Sequence, residues 1–233
     1  MVTSRYRRRS RSRMSGKLSD RPIWTRLRLA AIMLGIYEFA THREADKGGG
    51  RMPQSIMLIR HGEKPERDGP ALGIDENGKE DKNELIVRGW QRAGALARFF
   101  LPARPSPANP RISTPTSLFA AMPNAAEPSK RSLHTLGPLS ALSGVKINAS
   151  CGVGEEEKLA DRILKEDGVV LVAWEHKHIK DIVKFLTNDA VTSPHWPGDR
   201  FDMVFVVTPS PKAGLVQVPQ LLLAGDSKQE FAI

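Results

Sequence analysis

Residues 55–65 read SIMLIRHGEKP: four consecutive apolar positions, 56–59, and then an abrupt change to polar residues and glycine. A run of that length predicts a short buried strand, and the polar residues after it predict a loop at the strand's carboxyl end. The pattern recurs at residues 169–173, VVLVA, a largely β-branched run that suits a central parallel strand. Trp174, Glu175, His176, Lys177 and His178 come directly after it. Weaker strand signals lie at 111–121, 145–149 and 201–207. Residues 214–223 read as a final edge strand or pair, because Pro219 bars a central position.

Between these runs the apolar period becomes helical. Residues 85–100 set apolar side chains between Arg88, Arg92 and Arg98, which predicts a packing helix with a solvated arginine face. Residues 128–143 carry Leu133, Leu136, Leu139 and Leu142 at steps of three, interrupted by Gly137 and Pro138. Residues 154–166 and 179–186 predict two more helices. The first begins with Glu155, Glu156 and Glu157, acids that suit the helix dipole. The charged, glycine-dotted stretch 66–84 and residues 188–200 predict surface loops. Alternation of strand and helix predicts an α/β fold, a three-layer α/β/α sandwich with a mostly parallel central sheet.

Hydrophobic content of 40% and charged content of 26% are those of a globular chain. The formal net charge of +9 changes the picture only at one end. Residues 1–51 hold 13 of the 35 Lys and Arg and 4 of the 26 Asp and Glu, so residues 52–233 hold 22 of each sign. The main domain therefore gives no electrostatic case for a nucleic-acid partner. Residues 1–19 are rich in Arg and Ser and too poor in apolar residues to order themselves, whereas 24–40 have the spacing of one short basic amphipathic helix. Its longest uncharged run, 29–37, is far too short to span a bilayer. A membrane-surface helix, a targeting segment and translated sequence outside the working protein are the options. The last is favoured, because glycine-rich 47–51 precedes Met52, a natural start for a domain at 52–233. A nucleic-acid or membrane-surface protein acting through residues 1–51 is the reading that this segment keeps open. The single cysteine, Cys151, forms no internal disulfide and fits a reducing, cytoplasmic setting.

Candidate chemistry gathers where the strands end, since ligands of an open α/β sheet bind outside the carboxyl ends of its strands. Arg60 offers a permanently charged fork for phosphate oxygens, and His61 a nucleophile that is partly neutral near pH 7. Gly62 allows a sharp turn or a close approach to a ligand. Arg131 stands at a helix start after a strand, where amides and a guanidinium jointly hold an anion. His176 is delivered to the same edge by the second strong strand. Taken singly, each has an ordinary reading: a loop histidine, a solvated helix-start cation, a satisfied buried imidazole. No His/Asp cluster has metal-ligand spacing, so no metal and no cofactor are expected.

The apolar strand ending in Arg60-His61-Gly62-Glu63, the element Arg131-Ser132-Leu133-His134-Thr135-Leu136 and the strand at 170–176 ending in His176 together resemble the histidine phosphatase superfamily, also called phosphoglycerate mutase-like. The resemblance spans roughly residues 55–226. It implies a metal-independent phosphohydrolase in which His61 becomes a phosphohistidine, while Arg60, Arg131 and His176 hold the phosphoryl oxygens and Gly62 and Glu63 stand beside the substrate. A phosphomutase and a phospho-ligand binding protein without turnover are the alternatives. The partner it implies is a small phosphorylated molecule. The chain departs from the family's pattern at Lys177 and His178, where glycine is common, and at Glu175, where serine is frequent; bulkier neighbours narrow the pocket or change its selectivity. No motif matches the family's proton donor. Glu155 and Glu175 are the acid or orienting candidates, and dipole capping explains Glu155 equally well.

Overall fold

The run at 56–59 becomes strand β1 (Ser55–Arg60), and the run at 169–173 becomes β4 (Val169–Trp174). They lie side by side and parallel, in register from Ser55 opposite Val169 to Arg60 opposite Trp174. In this computed structural model the described residues are 52–66, 68–103, 110–125 and 127–232, so the helix expected at 24–40 and the division at residue 51 lie outside them or at their margin. Strand β2 (Ser117–Ala120) pairs with β4 in parallel, and the two-residue β3 (Ile147–Asn148) pairs with β2 at one edge. On the other side β5 (Met203–Thr208) joins β1, and β6 (Gly214–Pro219) forms the far edge, as Pro219 requires. The order is β3-β2-β4-β1-β5-β6, and β5 runs against the other five. The sheet is thus mostly parallel.

Helices α1 (Val87–Phe100) and α2 (Arg131–Ser143) cover one face, packing Leu96, Phe100, Leu136 and Leu139 on Met57 and Ile59. Helices α3 (Glu156–Ile163) and α4 (His176–Thr187) cover the other, packing Leu159, Ile163, Ile179 and Ile182 on Ile56 and Leu58. All four apolar residues of β1 are fully buried, which is why the strand shows no alternation. Each such side chain contributes about 1.5–3 kcal/mol by leaving water. The fold is the expected three-layer α/β/α sandwich.

Three local differences have physical causes. Pro138 does not interrupt α2: the helix runs through it with one fewer backbone donor, because fully buried Leu136 and Leu139 anchor it on either side. Helix α4 begins at His176 rather than near 179, since the Glu175 carboxylate accepts the Lys177 N–H and caps it. Arg92 is buried, in contrast to the solvated face expected of α1, because Glu63 and Asp226 close over it. Among the described residues no helix is long and apolar enough to cross a membrane.

Candidate functional site

Register brings three strand ends together. Arg60 lies opposite Trp174 and Ala120 opposite Ala173, so residues 60–61, 175–176 and 121–122 leave the sheet along one edge. The His61 N–H donates to the Trp174 carbonyl at 3.2 Å, extending the β1–β4 ladder to the histidine itself. Its side chain is buried, and Nδ1–H donates to the Gly62 carbonyl at 2.7 Å. That bond selects the tautomer and leaves the lone pair on Nε2. Burial above all, and then the neighbouring Arg60 cation, push the His61 pKa down to about 3, so the ring is neutral in the working range of pH.

Gly62 is held from two sides. Its N–H donates to Thr135 Oγ1 at 2.8 Å, and the Thr135 hydroxyl donates to the Arg131 carbonyl at 2.7 Å, tying the His61 loop to the first turn of α2. A Cβ on Gly62 would stand 2.9 Å from the Gly89 carbonyl oxygen. The close approach it permits is therefore to the backbone of α1. Thr135→Val leaves a buried N–H unsatisfied, a cost of about 1–3 kcal/mol in an equilibrium unfolding experiment.

A cavity of about 110 Å³ opens at this edge, with His61, Lys64, Arg131, Glu127 and Glu175 on its wall. That is well below the roughly 300–1,000 Å³ of a typical organic-ligand pocket and suits a small anion. Arg131 spends Nε on the Glu84 carbonyl at 3.1 Å and Nη2 on the Lys82 carbonyl. Burial lowers its pKa. The segment expected to be a plain surface loop is thus anchored at the site: Glu84 is fully buried, with Oε2 2.7 Å from His134 Nδ1, and Trp90 stacks on that imidazole at 5.2 Å. His134 is half-buried for the same reason. Lys64 also stands on the wall, its pKa lowered by burial and by Arg131 and Arg60.

Arg60 and His176 stand behind this wall. Arg60 is fully buried with its guanidinium carbon 3.8 Å from the centre of the Phe201 ring. Nη1 donates to the carbonyls of Gly198 and Arg200 at 2.8 and 2.9 Å, while Nε and Nη2 have no partner. Burial lowers its pKa to about 10, which leaves it charged at neutral pH. Two unpartnered buried N–H groups of a cation are costly unless an anion meets them. His176 Nδ1 lies 2.8 Å from Glu175 Oε1, a close contact that is not an aligned hydrogen bond. Burial raises the Glu175 pKa, but His176 and the Lys177 N–H outweigh it and hold the carboxylate at about 2.

The remaining candidates are committed elsewhere. Glu63 pairs with Arg92 at 2.8 Å and with Arg88 at 3.1 Å, away from the small cavity. Glu155 is exposed, bound to Lys158 at 2.7 Å and to the Gly152 N–H at 2.8 Å, and both contacts lower its pKa. It does not line the cavity. Its neighbour Glu156 is the buried one, accepting the Trp174 indole N–H at 3.0 Å. Cys151 is buried. Sequence reasoning missed Lys64, Glu127 and Phe201 as members of this region. Only Lys64, four residues beyond the strand end, carried any signal. Among the described residues no group of three or more His, Cys, Asp or Glu is disposed to hold a metal ion.

No family model matches the chain, and no curated protein matches it. Solved structures similar to it include the open reading frame Rv3214 product of Mycobacterium tuberculosis, at 13% identity over 72% of this chain and 97% of that one, with a TM-score of 0.40. A putative alpha-ribazole-5'-P phosphatase of Escherichia coli is 13% identical over 71% of this chain and 96% of its own, with a TM-score of 0.40. The ecdysone phosphate phosphatase of Bombix mori, in complex with tungstate, is 14% identical over 76% and 97%, with a TM-score of 0.41. The likeness is distant, and the chemistry rests on the side chains of this chain.

Proposed function

We propose that the chain hydrolyses phosphomonoesters through a phosphohistidine on His61. The observation that carries the reading is the His61 ring itself: neutral, fixed by its Nδ1–H bond to Gly62, and with the Nε2 lone pair free beside a small cavity whose wall includes Lys64 and Arg131. Nε2 attacks phosphorus, and the phosphorus–oxygen bond to the alcohol breaks. Arg131 and Lys64, on the cavity wall, neutralise the peripheral oxygens, and Arg60, with its two unpartnered N–H groups, and His176 back them from one layer behind. Glu175, held ionised, does not supply a proton. Glu127, the other carboxylate on the wall, protonates the departing alkoxide and then takes a proton from the attacking water. Water releases inorganic phosphate, and no metal takes part.

Quenching the enzyme during turnover of a radiolabelled ester should trap label on His61 as an acid-labile, alkali-stable adduct. Transfer of the label to a second alcohol instead of water would identify a phosphomutase. Binding of phosphate with no turnover and no adduct would leave a phospho-ligand binding protein.

The depressed His61 pKa sets the pH behaviour. Between about pH 6.5 and 3 the unfolded chain binds a proton at this position that the folded chain does not, so stability rises with pH across that window and is lost on acidification. In kcat/KM, an acid limb placed near the ordinary histidine value would be inconsistent with a buried neutral His61. The limb should fall below about pH 6.

A further inference from the structure

A second and larger cavity, of about 620 Å³, adjoins the first. Lys64 lies on the wall of both. The backbone at 198–200 that holds Arg60 Nη1 also lines it, and so does Phe201, whose ring centre is 6.2 Å from that of His61. Its volume falls within the range of sites for small organic ligands. Its apolar lining includes Pro65, Pro70, Ala71 and Phe201.

The charges on its wall divide sharply. Arg88 and Arg92 are paired with Glu63 and Asp226, and Arg200 with Asp202. Glu66 and Asp199, both exposed, make no ion pair or side-chain hydrogen bond among the described residues. The small cavity presents Lys64, Arg131, Lys177 and an imidazole beside the carboxylates of Glu127 and Glu175, whereas the large one, beyond Lys64 at the junction, presents apolar surface and two acidic acceptors outside any ion pair.

We infer that the large cavity holds the alcohol half of the substrate: an alcohol bigger than glycerol, apolar on one side and carrying hydrogen-bond donors, an amine above all, on the other. The inference rests on the phosphomonoesterase reading and adds the substrate class. With phosphorus at His61 Nε2, the ester oxygen directs the alcohol past Lys64, and Phe201 forms the floor between the two compartments. Asp199 and Glu66 meet the donor groups.

Three alkyl phosphates with similar leaving groups test it: ethyl phosphate, 3-phenylpropyl phosphate and its para-aminomethyl derivative. For the wild type, kcat/KM should rise tenfold or more from the first to the second, and again by several-fold with the amine. Ala71→Trp, which fills the cavity from its apolar lining, should reduce the phenylpropyl-to-ethyl ratio at least tenfold, while thermal unfolding confirms that the variant is folded. Asp199→Asn combined with Glu66→Gln should erase the amine increment and leave the size increment. Hydrolysis of all three esters with equal kcat/KM, or a ratio untouched by Ala71→Trp, would overturn the inference while leaving the phosphatase standing. A missing amine increment would overturn the donor requirement. No hydrolysis of any ester by the wild type would sink both.

Discussion

His61→Ala should lower kcat/KM for every phosphomonoester by about 10⁴-fold or more, the scale on which enzymes lose activity with their nucleophile. Among the described residues no other imidazole lines the small cavity: His176 stands behind its wall against Glu175, and His134 is engaged with Glu84. The variant should fold, because the ladder bond from the residue-61 backbone to Trp174 and the Gly62–Thr135 bond do not involve the imidazole. Inorganic phosphate should still bind it through Arg131 and Lys64. At 100 times its Kd, phosphate would add about 2.7 kcal/mol, and for a chain of this size that corresponds to a rise of about 5–10 °C in Tm. Residual turnover within tenfold of the wild type would remove His61 from the mechanism.

The largest loss of stability should come from Arg92. Its guanidinium is buried between two carboxylates, with Nη2 2.8 Å from Glu63 and 2.8 Å from Asp226, and Nη1 2.9 Å from Gln220. Burial alone would lower its pKa, but its hydrogen bonds to Asp226 and Glu63 outweigh that and raise it. Arg92→Ala strands two largely buried negative charges and should cost about 3–5 kcal/mol in urea or guanidinium unfolding. Half-buried Arg88 reaches Glu63 and Asp226 but is partly screened by water and replaces little of the loss. The same network decides the role of Glu63, which the family resemblance places beside the substrate. If its carboxylate serves Arg92, Glu63→Gln should lower stability by more than it lowers kcat/KM. A large kinetic loss at unchanged stability would return Glu63 to the substrate.

Much of this architecture is legible along the chain because burial on both faces writes itself as unbroken apolar runs. The strands at 56–59 and 169–173, and the abrupt polar residues behind each, locate the sheet centre and place Arg60, His61 and His176 at one edge. The helical leucine spacing before Ser143 likewise places Arg131 at a helix start. Other features depend on partners distant in sequence. The direction of β5 comes from its pairing with β1 and β6, which no local pattern encodes. Arg92 reads as a solvated face until Asp226, 134 residues later, closes over it. Glu155 and Glu156 are adjacent and chemically alike, yet one faces solvent with Lys158 and the other is buried under the Trp174 indole. A carboxylate's role depends on burial and neighbours, and those exist only once the chain has folded. The residue types that can hold a phosphate were visible in the linear order. Which of them face the cavity, which lie one layer behind it and which are consumed in ion pairs was settled by packing, because charge and hydrogen-bond geometry act through space.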